Sequence, residues 1–174
     1  MIRRIISGGQ TGADQAALDA AIDLGIPHGG WIPRNRITEN GILPMKYQLQ
    51  EMPTASYRKR TEKNVLDSDG TLILSHGKLK GGSALTQQRA KHHQRPCLHI
   101  DLDLRPASEA ITEIQSWLGQ HDIRVLNVAG PRASEDQRIY RETYQILRAV
   151  LQERRTLQRF ARSRRRAKRC IRCS

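Results

Sequence analysis

Ser7-Gly8-Gly9-Gln10-Thr11-Gly12-Ala13-Asp14-Gln15-Ala16-Ala17-Leu18 is the stretch that decides the fold. The apolar run Ile2 to Ile6 lies ahead of it, and the alanine-rich segment Gln15 to Leu24 lies behind. A strand, a glycine-rich turn and a helix in that order are the parts of a mononucleotide-binding βα unit. Glycines let a backbone come close to a phosphate, and the first N–H groups of the helix, at its positive dipole end, point toward it. The spacing is neither G-x-G-x-x-G nor G-x-x-x-x-G-K-[ST], so this is neither a dinucleotide fingerprint nor a P-loop. Thr11 and Asp14 have the spacing of a capping box with Thr11 as N-cap. Two readings follow. In one, the glycines only turn the chain and Thr11 and Asp14 only cap a helix. In the other, the loop cradles an anion, and the Asp14 carboxylate takes a hydroxyl, a ring N–H or a metal-bound water. On the second reading, valine at Gly9 should fill the place of the phosphate and leave the fold intact.

Outward from this unit the pattern alternates. Gly25-Ile26-Pro27 ends the first helix, and Gly29–Pro33 is at best a short strand. Arg34–Pro53 reads as a long loop, with Asn40-Gly41 and Pro44 as turn signals. Thr54 or Ser56 can cap a helix that Asp67-Ser68-Asp69-Gly70 stops. Thr71–Leu74 is a buried strand, Gly77–Gly82 a second glycine-rich loop, and Ser83 caps a helix reaching about His93. Pro96–Asp101 is a strand, and Pro106 and Ser108 open a helix with Ala110, Ile111, Ile114, Trp117 and Leu118 on one face. Arg124–Val128 is the fifth strand, Gly130-Pro131-Arg132 a third loop, and Ser134 caps the last helix. Such alternation predicts an α/β fold: a Rossmann-like parallel sheet of about five strands with helices on both faces. All three glycine-containing loops then lie at the carboxyl edge, where such sheets bind ligands. If strand order runs outward in chain order from strand three, strand five lies roughly 14 Å from strand one.

The 174 residues suit one domain. The net charge of +13 is misleading. Ten Lys or Arg and no acid lie between Arg154 and Ser174, and without them the chain has 20 basic and 17 acidic residues. We therefore expect a balanced ligand-binding domain over 1–153 and a basic, disordered tail over 154–174 that could contact nucleic acid weakly. Cys97, Cys170 and Cys173 make no disulfide framework, no apolar run has the length of a membrane span, and no signal-peptide core follows Arg3-Arg4. A soluble cytoplasmic protein is expected. No metal site is expected, because the six histidines lack zinc-motif spacing and the Cys170-x-x-Cys173 pair stands alone. No G-x-S-x-G, H-E-x-x-H or Ser/His/Asp signature is present, so no catalytic residue is assigned.

Lys78, Lys80, Gly81, Gly82, Ser83 and Thr86 form a second phosphate candidate, and Arg132 with Ser134 a third. Each has a plain alternative as a turn and an N-cap. Arg60 and Asn64 share one helix face, which either meets solvent or turns onto the ligand edge.

Several of these stretches together resemble the molybdenum carrier family. They are 7–14, Gly30-Trp31-x-Pro33, Arg60-Thr61-x-x-Asn64-Val65-x-x-Ser68-Asp69-Gly70-Thr71, Gly81-Gly82-Ser83-x-x-Thr86 and Asn127-Val128-Ala129-Gly130-Pro131-Arg132-x-Ser134. The resemblance covers about 2–153. It is similar, more distantly, to Rossmann-like proteins of the lysine decarboxylase-like and Lonely Guy type. It implies a carrier that binds molybdenum cofactor or a related phosphorylated pterin or nucleotide, and it implies a homo-oligomer. Gly8, Gly9, Gln10, Thr11, Gly12, Gly81, Gly82 and Ser83 would hold the anion, with Thr86, Arg132 and Ser134 beside them; Asp14, Arg60 and Asn64 would read the rest. The rival is an enzyme acting on a nucleotide derivative, of hydrolase or phosphoribohydrolase type, with Asp14 or Asp69 as the acid or base. Against it, the Lonely Guy motif P-G-G-x-G-T-x-x-E places its glutamate at Gln88 here, and a neutral amide cannot act as general base.

Overall fold

The computed structural model describes residues 1–152; the expected basic tail lies outside the described residues. Its elements are β1 (Arg4–Ile6), α1 (Ala13–Asp23), β2 (His28–Gly29), β3 (Trp31–Ile32), β4 (Ile37–Thr38), β5 (Gly41–Ile42), β6 (Gln50–Glu51), α2 (Tyr57–Leu66), β7 (Gly70–Ser75), α3 (Gly81–His92), β8 (Cys97–Asp101), α4 (Ala107–Gln120) and β9 (Val125–Ala129). A last helix, α5, covers 139–152.

Five strands form one parallel sheet in the order β2-β1-β9-β7-β8. The α/β alternation read from the sequence therefore holds. The order does not follow the chain outward from strand three: β9, the fifth of these strands, pairs directly with β1, Ile5 opposite Leu126. Its other neighbour is β7. The loops after β1, β9 and β7 thus stand side by side, and the 14 Å gap does not exist.

Alternate residues of each strand serve opposite faces of the sheet. Ile5, Leu72, Leu74, Ile100, Leu126 and Val128 join one apolar cluster with α1, α4 and α5. The alanines of α1 (Ala13, Ala17, Ala20, Ala21) let that helix lie close on the sheet, as its small face predicts. Trp117, Ile114 and Leu118 bring α4 onto the same face. α2 and α3 pack against each other, and α3 rests on β7.

Arg34–Pro53 is not an irregular loop. It carries a 3₁₀ turn, the β4–β5 hairpin and β6, which pairs with β3 ahead of it. Its Leu43, Tyr47 and Leu49 join Ile32 and Leu18 of α1 in a second apolar cluster. A buried arginine holds the segment together: Arg36 donates to the carbonyls of Leu43 (3.2 Å), Leu49 (3.0 Å), Pro44 (3.2 Å) and Tyr47 (2.8 Å). Its guanidinium replaces the backbone partners that regular structure would supply.

Candidate functional site

The loops after β1 and β9 meet at their backbones. Gly12, at φ 75°, leads into α1, and a Cβ there would lie 2.4 Å from the Pro131 carbonyl oxygen. Ala13 N–H donates to that same carbonyl at 3.2 Å. Gly130 approaches α1 and β7 as closely, with Ala13 Cβ and the Leu74 carbonyl oxygen both 2.5 Å from its own missing Cβ. These two glycines are therefore spent on bringing loops together.

Between these loops, α2 and the start of α3 lies a cavity of about 300 Å³. Gln10, Asp14, Tyr57, Arg60, Thr61, Gly81, Gly82, Ser83, Thr86, Arg132 and Glu135 are among its lining residues. Asp14 and Arg60 form its charged floor: Arg60 Nη1 stands 3.7 Å from Asp14 Oδ2, with side chains only 13% and 8% exposed. That distance makes an ion pair without a hydrogen bond, and the buried Arg60 Nε has no partner at all. Burial raises the Asp14 carboxyl above its ordinary value, against the pull of Arg60 and of the Gln10 N–H, which donates at 3.2 Å. Gly8 makes room for this guanidinium, since a Cβ there would meet Arg60 Nη1 at 1.6 Å.

At the opposite wall α3 opens on two glycines. No side chain caps this helix, and a Cβ on Gly81 or Gly82 would find nothing within 4 Å. The Gly81 and Gly82 N–H groups and the positive dipole end of α3 thus belong to the same cavity as the Arg60 guanidinium. Ser83 and Thr86 lie inside α3; Thr86 Oγ1 donates to the Gly82 carbonyl at 2.9 Å. Ser83 is therefore not the N-cap its spacing suggests; Lys80 holds that position.

Eight of the residues singled out from sequence line this cavity: Gln10, Asp14, Arg60, Gly81, Gly82, Ser83, Thr86 and Arg132. The others have different surroundings. Gly9, at φ 74°, turns its bare side to Leu43 and Leu49, each 2.8 Å from a Cβ built there. Valine at Gly9 would strike the second apolar cluster, so it cannot leave the fold intact. Asn64 is consumed by a backbone: it accepts from Trp31 N–H at 2.7 Å and donates to Trp31 O at 3.2 Å, tying α2 to β3. Thr11 is not an N-cap, for Gly12 holds that position and no side chain caps α1. Its hydroxyl accepts from Ala133 N–H at 3.0 Å and donates to Glu39. Ser134 caps no helix either; α5 begins only at 139, and the Ser134 hydroxyl donates to Glu39.

Glu39 is the residue that sequence reading missed. Asn40-Gly41 marks a turn, yet nothing local says that the turn reaches the loops after β1 and β9. Burial raises its carboxyl, but hydrogen bonds from Ser134 and Thr11 and the charge of Arg132 outweigh that and hold it below the ordinary value. His76 was also passed over. It follows directly on β7, beside a larger cavity of about 920 Å³, and lies between Asp136 (2.5 Å) and Glu142 (3.1 Å). Among the described residues, no group of three or more His, Cys, Asp or Glu side chains is placed to hold a metal ion. Cys97 is a poor ligand, since burial pushes its thiol up to about 11. The donors of the smaller cavity suit a phosphate or another oxyanion rather than a bare metal. No helix of the described residues is long and apolar enough to cross a membrane.

Comparison with known proteins agrees with this architecture. No curated protein matches the chain. A crystal structure at 1.45 Å resolution, of a protein from Syntrophus aciditrophicus SB bearing the name "Putative molybdenum carrier protein", is 61% identical. The likeness covers 86% of this chain and 95% of that one, with a TM-score of 0.85. Residues 5–151 match the circularly permutated YpsA SLOG family. With so much of the chain matched, the protein belongs to the circularly permutated YpsA SLOG family.

Proposed function

We propose that the protein is a carrier that holds the phosphate of a phosphorylated pterin or nucleotide-like ligand, of the molybdenum cofactor class, in the 300 Å³ cavity. One observation carries the reading: the uncapped, side-chain-free start of α3 and the Arg60 guanidinium line one and the same cavity. Backbone N–H groups of Gly81 and Gly82 take the phosphate oxygens, and Arg60 adds charge from a largely buried guanidinium. Asp14, close to Arg60, accepts from a hydroxyl or ring N–H of the organic part. The likeness to a protein named as a molybdenum carrier supports the ligand class. The rival, an enzyme acting on a nucleotide derivative, would use Asp14, whose buried carboxyl is raised; Asp69 accepts from the Arg124 and Val125 N–H groups and does not line the cavity.

The variant that separates ligand from fold is Gly82→Val, because its Cβ enters open space with no neighbouring side chain or loop within 4 Å. Native mass spectrometry of gently purified wild type should show a co-purified phosphorylated compound, and Gly82→Val should lose it while melting within a few degrees of wild type. Retention of the same mass by the folded variant refutes the site. Turnover of a panel of nucleotides at micromolar protein would replace the carrier with the enzyme.

A further inference from the structure

We propose that the chain contains a second anion-binding site, built from Thr11, Arg132 and Ser134, and that its own Glu39 carboxylate fills it. Glu39 sits in the two-residue turn of the β4–β5 hairpin, and its carboxylate touches both ligand loops. Oε1 accepts from the Thr11 hydroxyl and from Ser134 N–H at 3.2 Å. Oε2 accepts from the Ser134 hydroxyl and has Arg132 Nε 3.9 Å away. Two hydroxyls, one backbone N–H and one guanidinium are the donor set that a phosphate or carboxylate ligand would recruit. They come from the loops after β1 and β9, joined here by a third segment of the chain.

The hairpin has little else to hold its tip. Its cross-strand pair, Ile37 and Ile42, faces solvent, with Ile42 72% exposed. Arg36 anchors the base, and one further bond, Glu39 N–H to Gln10 Oε1 at 3.0 Å, helps the carboxylate at the tip. An external carboxylate or phosphoryl group of similar size competes directly with Glu39. When it wins, the tip leaves the loops, while Arg132, 3.3 Å from Glu135 on the cavity wall, stays with the new anion. The inference stands whatever ligand the cavity takes.

Chemical rescue of the full chain tests it. Glu39→Ala vacates the donors and should melt below wild type. Formate should then raise its melting temperature relative to chloride at matched ionic strength. For a formate Kd of about 10 mM, 100 mM should recover about 4 °C. Wild type, already filled, should gain nothing beyond chloride. Glu39→Gln, which blocks the site with a neutral amide, should also gain nothing. If Glu39→Ala is unfolded in chloride, the same arm is read as recovery of its circular dichroism in formate. No formate-specific gain in Glu39→Ala, or an equal gain in wild type, overturns the proposal.

Discussion

Replacing both members of the buried Arg60–Asp14 pair, as Arg60→Met with Asp14→Asn, should make the protein more stable and abolish the proposed anion binding. At 3.7 Å and an effective dielectric near 20, the attraction is worth about 4.5 kcal/mol. Withdrawing each ion from water costs several kcal/mol after relaxation, so the pair returns less than its burial costs. The missing hydrogen bond and the unpartnered Nε remove the usual compensation. The neutral pair should therefore gain about 1–4 kcal/mol. For a domain of this size, that is roughly 2–4 °C per kcal/mol in thermal melts. Arg60→Met alone should behave differently, because it strands the Asp14 carboxylate. A buried carboxyl raised above its unfolded value is not penalised below that value, and stability falls as pH rises toward its folded value. The single variant should thus compare best with wild type near pH 4 and worst at neutral pH. Paired thermal melts and phosphate titrations of both variants decide the matter. If the double variant loses more than about 2 kcal/mol, the pair is a structural strut and the reading of Arg60 as a ligand group fails.

Gly9→Val should be lost to folding rather than to binding: with φ at 74° and two leucine methyls 2.8 Å from the new Cβ, a cost of about 2–4 kcal/mol is expected in urea unfolding. A variant as stable as wild type would mean that Leu43 and Leu49 do not pack there. His76→Asn should show its deficit at low pH. Burial pulls the imidazole down, but Asp136 and Glu142 prevail and raise it above 6.5. Its stabilisation is therefore complete below about 6.5 and disappears as pH rises through the folded value. A deficit that persists undiminished well above that value, in melts run against pH, would show that the charge of His76 is irrelevant.

The family resemblance and the strand–loop–helix alternation were legible in the chain because local chemistry sets them. Val, Ile and Leu runs make buried strands, and glycine with a following small-residue helix makes a close βα turn. The same local reading picked eight lining residues of the cavity, since loops that end parallel strands must share one edge. Where β9 sits was not legible. Its place between β1 and β7 depends on Gly12 and Gly130 admitting neighbouring backbone, and no sequence spacing encodes which loop a glycine will meet. The same limit explains Asn64, Gly9 and Thr11. Each has a residue type suited to a ligand, yet Trp31, the leucines of the second cluster, and Ala133 with Glu39 claim them first. Composition and order thus determined the sheet, its helices and the edge on which the cavity lies. Only the tertiary structure decided which polar groups on that edge remain free, because a hydrogen-bonding group is available to a ligand only when no distant part of its own chain has already satisfied it.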